Sequence, residues 1–255
     1  MDYRPLGRTG MKGVDEVDPR VECFVDDADG VLVLGVADGG GEHQRAERVR
    51  ADADAYGDSE EVVGKALKGR RDDVVLATKV SRPMGDGPNR QGASRRWIVA
   101  EVENSLRRLQ TDYLDLYQIQ RPDPDTDIEQ TLSALSDLIH SGKVRAIGSS
   151  TMPASDIVEA HWVAERRGLE RFHTEQPPYS ILNRSVEREV LPTAQRYGMG
   201  ILVWGPLGQG MLTGRVRKVQ QTDLVRAGLF KASATNAGSR PSSDSSHSPG
   251  RRTCR

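Results

Sequence analysis

The chain has 255 residues, 36% of them hydrophobic and 29% charged, with 36 basic and 37 acidic side chains and a net charge of −1. That length suits one large domain or two small ones, and the balanced charge gives no general pull toward nucleic acid or a membrane surface. No apolar run approaches the roughly 18 residues of a membrane helix, the opening MDYRPLGRTG has no signal-peptide core, and two distant cysteines, Cys23 and Cys254, fit a reducing, cytoplasmic setting better than a disulfide.

The mean hydropathy of −0.58 is low for a single large core, because the chain divides into parts of different character. Residues 13–55 are dominated by Gly, Ala, Val, Asp, Glu and Arg. Only Val31–Val36 there resembles a strand, and no helical face emerges. From 56 to 231 the pattern becomes regular. VVLATKV (Val74–Val80) follows the charged turn KGRRDD and reads as a buried parallel strand. Between Ser94 and Leu109, apolar residues at Trp97, Ile98, Val102, Leu106 and Leu109 make one helical face, with Ser94 as N-cap.

YLDLYQIQ (Tyr113–Gln120) is the next predicted strand. A helix follows with Leu132, Leu135, Leu138 and Ile139 on one side, ended by Gly142. VRAIGSS (Val144–Ser150) predicts a strand, Pro153 to Gly168 a helix with proline in its first turn, and RFHTEQ (Arg171–Gln176) a strand. Ser185 to Tyr197 predicts a helix capped by Gly198, and GILVWGPL (Gly200–Leu207) a strand.

Repeated βα units build an open doubly wound sheet or a closed barrel. No GxGxxG follows an early strand, which weakens the open dinucleotide-binding sheet. Polar residues instead gather at the C-terminal ends of predicted strands: Lys79, Gln120, Ser149, Ser150, Gln176 and Trp204. A (β/α)8 barrel carries its active site at that rim.

Several strings together carry a family resemblance: MDYRPLGRTG, YGDSEEVVGKAL, VVLATKV, SLRRLQTDYLDLYQIQRPD, VRAIGSS, TEQPPYS and VLPTAQRYGMGILVWGPL. Across most of residues 1–12 and 56–231 the chain resembles the aldo/keto reductases, on the branch of bacterial general-stress and voltage-channel β-subunit-like proteins. The resemblance implies a (β/α)8 TIM barrel that binds NADP(H) and reduces aldehydes or ketones. It also implies a tetrad of Asp, Tyr, Lys and His. In that chemistry the tyrosine hydroxyl protonates the carbonyl oxygen. Free tyrosine has a pKa of about 10, so a neighbouring ammonium is needed to lower it.

By the resemblance, Tyr56 stands at the proton donor and Lys79 at its activator. A core tyrosine is the plainer alternative for Tyr56, and a solvated surface charge for Lys79, although a lysine closing an apolar strand is costly unless paired. The histidine position holds Gln120, and the aspartate position, five residues before the tyrosine, holds Ala51. Asp52 and Asp54 flank it, but a one-residue shift on a strand turns a side chain to the other face. Glutamine can orient a carbonyl but carries no proton, so a rate loss on the order of 10²–10⁴ is expected. The five histidines, His43, His140, His161, His173 and His247, all lie elsewhere.

The same resemblance assigns Ser149, Ser150, Thr151 and Gln176 to the carboxamide end of the nicotinamide, and Trp204 to stacking on its ring. Gly205, Leu207, Gly210 and Leu212 fall on the loop around the pyrophosphate. Thr151 replaces a common asparagine. Loop capping by the serines and core packing by Trp204 are the alternatives, and no metal ligands are assigned.

A barrel-like domain is expected over 1–231 and a disordered tail over 232–255, where ASATNAGSRPSSDSSHSPGRRTCR cannot build a core. The barrel is expected to be incomplete. Five strands are supported by pattern, the first two are obscured within 13–55, in the manner of a reading frame shifted and restored, and the eighth is missing. The missing strand would leave an open edge, an aggregation hazard unless a protein partner or second copy covers it. The function expected is NADP(H)-dependent carbonyl reduction. The alternatives are an inactive homologue that binds nucleotide or a partner, and an unstable product of a decayed gene. A nucleic-acid role finds no recognition motif.

Overall fold

The computed structural model describes residues 3–5, 12–14, 32–35 and 55–213. Two compact units divide the chain, Met1–Gly208 and Gln209–Arg255. The expected tail over 232–255 lies outside the described residues.

Two short strands, β1 (Tyr3–Pro5) and β2 (Lys12–Val14), pair antiparallel in a sheet of their own. The main sheet has six strands in sequence order: β3 (Leu32–Gly35), β4 (Val74–Val80), β5 (Leu114–Ile119), β6 (Val144–Ser150), β7 (Thr174–Gln176) and β8 (Gly200–Ile201). From β4 to β8 every pairing is parallel. These are the five barrel strands that the pattern supports. Helices α1 (Ala55–Ala66), α2 (Arg95–Leu109), α3 (Ile128–His140), α4 (Ala154–Arg167) and α5 (Val190–Tyr197) alternate with them. The result is part of a βα barrel.

The strand expected at Val31–Val36 forms as β3, but it pairs antiparallel with β4. A strand of a (β/α)8 barrel runs parallel to its neighbours. Among the described residues the first two barrel strands therefore have no counterpart.

Local chemistry explains most element ends. The Ser94 hydroxyl accepts from the Trp97 amide at 3.3 Å and starts α2. Asp127 accepts from the Glu129 amide at 2.8 Å and starts α3. Gly168 and Gly198 end α4 and α5 with φ of +65°, where an L side chain would be strained. Pro153 stands at the cap of α4, one residue before its first turn.

Three expected elements are shorter than their sequence pattern, the first being the strand expected over Arg171–Gln176, which forms only over Thr174–Gln176. The helix expected over 185–197 splits into a 3-10 turn, Ser185–Glu187, and α5. Pro192 is the reason: proline is tolerated in a first turn but not deep inside a helix, so α5 restarts at Val190. The strand expected over Gly200–Leu207 keeps regular pairing only through Ile201. It then follows β7 irregularly, with Leu202 N–H donating to Glu175 O at 3.0 Å and Trp204 N–H to Pro177 O at 3.1 Å. Pro177 and Pro178 lack the N–H groups that a regular ladder needs.

The main core lies between the sheet and the helices. Leu76, Val80, Tyr117, Ile119 and Ile147 of the strands meet Ile98, Val102, Leu132, Leu135 and Ile157 of the helices. A separate small cluster, Ala77, Leu116 and Ala146 with Leu202, marks the opposite, inner face.

Candidate active site

Side chains alternate along a strand, and the inner cluster sets the phase. Ala77, Leu116 and Ala146 point inward, so Lys79, Gln118, Gly148 and Ser150 do as well. The register puts them side by side: Lys79 pairs with Gln118, Gln118 with Gly148, Gly148 with Thr174, and Ser150 with Gln176. A polar row thus crosses four strands near their C-terminal ends. Gln120 lies two residues past Gln118, and its backbone amide donates to Val80 O at 2.9 Å.

Every member of the row is deeply buried. Lys79 is 6% exposed, Gln120 2% and Gln176 4%. The Gln118 Nε2 donates to Ser149 O at 3.3 Å. The Oε1 atoms of Gln118 and Gln176 are buried and find no donor among the described residues. Buried acceptors are nearly always matched, and a donor from outside the described residues, from water or from a ligand would match these two. Gly148 makes room for the row, because a Cβ there would sit 2.1 Å from Thr174 Oγ1.

The structure separates the two serines. Ser150 lies inward, and its hydroxyl donates to Gln176 O at 2.9 Å. Ser149 points outward, where its hydroxyl donates to Glu175 Oε2 at 2.5 Å. Thr151 turns the chain out of β6 with φ of +55°. Such a backbone costs a β-branched residue on the order of 1–3 kcal/mol, which explains why asparagine suits the position better. The Thr151 amide donates to Gln176 O at 3.2 Å.

Trp204 is half-buried and bridges to Pro178, while Gly205 is buried with φ of +68° and Leu207 is 57% exposed. Gly210 and Leu212 belong to the second unit, in a 3-10 helix spanning Gly208–Thr213. Tyr56 falls in the first turn of α1, with its side chain outside the described residues, and Ala51, Asp52 and Asp54 lie outside them entirely.

Three residues of consequence carry no site signal in the linear pattern. One is Gln118. The others are two buried glutamates on the outer side of the sheet. Glu60 of α1 accepts from Thr78 Oγ1 at 2.7 Å and from Arg108 Nε at 2.6 Å, and Arg108 also reaches Glu101 at 2.5 Å. Burial pushes Glu60 above the usual carboxylate range, against the pull of Arg108 and Thr78. Burial also works to lower Arg108, but the Glu60 and Glu101 carboxylates outweigh it and hold the guanidinium charged. Strand parity could have flagged Glu175, a carboxylate aimed at an apolar layer.

Glu175 is fully buried, and burial pushes its carboxyl up to about 7 against hydrogen bonds from Ser149, Met152 and Thr151. Unfolded, it returns to about 4.5. Between these values the folded chain holds a proton that the unfolded chain has lost, so this group makes stability fall as pH rises through that window and level off above it. The loss is on the order of 3 kcal/mol. Urea melts at pH 5 and pH 8 should show this slope in the wild type and lose it in Glu175→Gln.

No group of three or more His, Cys, Asp or Glu among the described residues could hold a metal, and no helix among them is long and apolar enough to cross a membrane. A groove of about 620 Å³ lies between the 83–90 loop and α2, but none of the inner row lines it.

Comparison with known proteins bears on the family. The chain is 44% identical over 168 residues to the aldo-keto reductase YhdN of Bacillus subtilis, covering 65% of this chain and 49% of that protein. It is 37% identical over 238 residues to the uncharacterized oxidoreductase YrpG of the same organism, covering 86% of this chain and 70% of that one. A probable voltage-gated potassium channel subunit beta of Oryza sativa is 41% identical over 172 residues, covering 66% of this chain and 52% of that protein. The chain thus spans about half the length of two of these three relatives. Residues 52–227, which include all five parallel strands and their helices, match the family model, and the chain belongs to the aldo/keto reductase family.

Proposed function

We propose that the chain is an oxidoreductase that binds NADP(H) along the inner rim and reduces aldehyde or ketone carbonyls to alcohols. One observation carries the reading. Lys79, Gln120, Ser150 and Gln176 share the inner face at the C-terminal ends of neighbouring parallel strands, with the Gln176 Oε1 buried and unmatched among the described residues. That acceptor suits the amino group of a carboxamide, and Ser150 with the Thr151 turn flanks it.

The bound nicotinamide would supply the hydride. In this reading Tyr56, on α1, gives its hydroxyl proton to the carbonyl oxygen. The Lys79 ammonium lowers the phenol pKa from about 10 toward the working range. Gln120 donates from its side-chain amide to the carbonyl oxygen and holds the carbon in reach, the positional part of catalysis. Trp204 stacks on the ring, and Gly205 and Leu207 begin the loop that follows. This assignment keeps binding and orientation while giving up one proton-relay group.

Titrating the purified chain with NADPH tests it through tryptophan fluorescence. Saturable quenching is expected in the wild type and should be largely lost in Trp204→Phe, because Trp97 and Trp162 lie on the helices. NADH in parallel reads the preference between the two dinucleotides. Folded protein that shows no saturable quenching with either would overturn the reading.

A further inference from the structure

The turn that leaves β6 has to place Ser150 inward and then reverse direction within two residues. It does so with a threonine at φ of +55° and a proline, Pro153, at the cap of α4. Neither residue is suited to hold the turn. Thr151 is strained there, and α4 has no side-chain cap hydrogen bond. The holding groups come from β7. The Gln176 carbonyl accepts from the Ser150 hydroxyl at 2.9 Å and the Thr151 amide at 3.2 Å. The Glu175 carboxyl accepts from the Ser149 hydroxyl at 2.5 Å and the Met152 amide at 3.1 Å. Its own backbone carbonyl accepts from Leu202 N–H at 3.0 Å, which fixes β7 from the other side.

A strand residue facing the helix layer of such a sheet is ordinarily aliphatic. A carboxyl there costs desolvation unless it is hydrogen-bonded. Glu175 carries that cost, and what it obtains is a grip on both flanks of the Ser150–Thr151 pair. Adjacent residues of β7 thereby act from opposite faces of the sheet. Gln176 offers its side-chain amide inward, and Glu175 secures the opposing turn from behind.

We propose that Glu175 is a positioning residue for cofactor binding, a latch that holds the Ser149–Met152 turn so that Ser150 and Thr151 face the carboxamide end of a nicotinamide dinucleotide. The proposal rests on the cofactor reading above and adds a residue that touches no cofactor. The latch depends on hydrogen-bond acceptance rather than on net charge. A glutamine can accept from Met152 through Oε1 and donate through Nε2 to Ser149 Oγ, whose proton can turn toward Thr174 O, 3.4 Å away.

Glu175→Leu removes the latch and Glu175→Gln keeps it. Amide hydrogen exchange in the unliganded chain reads the turn directly. In Glu175→Leu, exchange at Thr151 and Met152 should quicken on the order of tenfold, while Ile147 within β6 stays protected. NADPH affinity should weaken by a similar factor, and Glu175→Gln should restore both. If the leucine variant does not fold, Ser149→Ala, which removes one arm, carries the test with a smaller shift in the same direction.

Wild-type affinity in a folded Glu175→Leu, unchanged Met152 exchange, or quickened exchange spread evenly over β6 would each overturn the proposal. A merely structural role predicts the last of these. A wild type that binds neither NADPH nor NADH overturns the cofactor reading and the latch's purpose with it. Failure of the latch alone shows in the unliganded exchange, where no cofactor enters.

Discussion

Gln120→His is expected to raise carbonyl turnover by a factor on the order of 10²–10⁴, followed as NADPH oxidation with an aldehyde. Gln120 is buried at 2% exposure, just beyond β5, on the inner face that it shares with Gln118 and, across the sheet, with Lys79. The bond from its backbone amide to Val80 O at 2.9 Å fixes its backbone one residue past Lys79's level on β4. A side-chain amide at this point can donate to a carbonyl oxygen, which is the orienting role proposed for it. It cannot take on or pass a proton. Imidazole of similar reach can do both.

Because the gain belongs to proton transfer, it should appear in kcat, with NADPH affinity unchanged. Lys79→Met should abolish it in the same background, since the proposed mechanism needs an ammonium beside the phenol. Unchanged turnover in a Gln120→His protein that binds NADPH would sink the assignment of Gln120 as the limiting substitution. It would point instead to Ala51, where the resemblance puts the family's aspartate.

Arg108→Leu is expected to destabilise the chain by about 3–5 kcal/mol at pH 8, the usual result of removing one partner from a buried ionic group. Arg108 is the cation between Glu60 and Glu101, both buried, at 2.6 and 2.5 Å. Its loss leaves two buried carboxylates without the cation between them. Glu60 already sits above the ordinary carboxylate range through burial, so without the pull of the guanidinium it would take up a proton more readily. Protonation removes the unpaired charge, and the penalty should therefore be smaller at pH 5 than at pH 8 in urea melts. A loss under about 1 kcal/mol at both pH values would mean that solvent screens the pair as it does on a surface.

The same network bears on the proposed site. Glu60 binds Thr78, the residue before Lys79, and lies one turn along α1 from Tyr56. The packing is close, since a Cβ at Gly64 would fall 2.6 Å from Arg108 O. Loosening Arg108 therefore also loosens the helix that carries Tyr56 against the strand that carries Lys79.

Much of this fold is governed by local periodicity and was therefore legible in the chain alone. The apolar run Val74–Val80, the face Trp97–Leu109 and the runs through Leu114–Ile119 and Val144–Ser150 became strands and a helix close to their expected bounds. Ser94 capped α2 because an N-cap needs only a hydroxyl three residues from an amide. Pattern also put Lys79, Gln120, Ser150 and Gln176 at strand ends, since a strand's end and its alternation are local properties.

The remainder depends on residues far apart in the chain and emerged only from the packed molecule. β3 runs antiparallel to β4, a pairing about forty residues away that no periodicity encodes. The division of Ser149 from Ser150 needed the inner cluster to set which face is which. The Glu60–Arg108 pair joins α1 to α2, and the Glu175 latch joins β7 to the turn after β6, so these two buried carboxyls find their partners only across the fold. In a linear reading Glu60 and Glu101 look like surface residues, and only strand parity sets Glu175 apart. A buried carboxyl is tolerable only where the fold delivers its partners, and that delivery is a property of packing rather than of neighbouring residues.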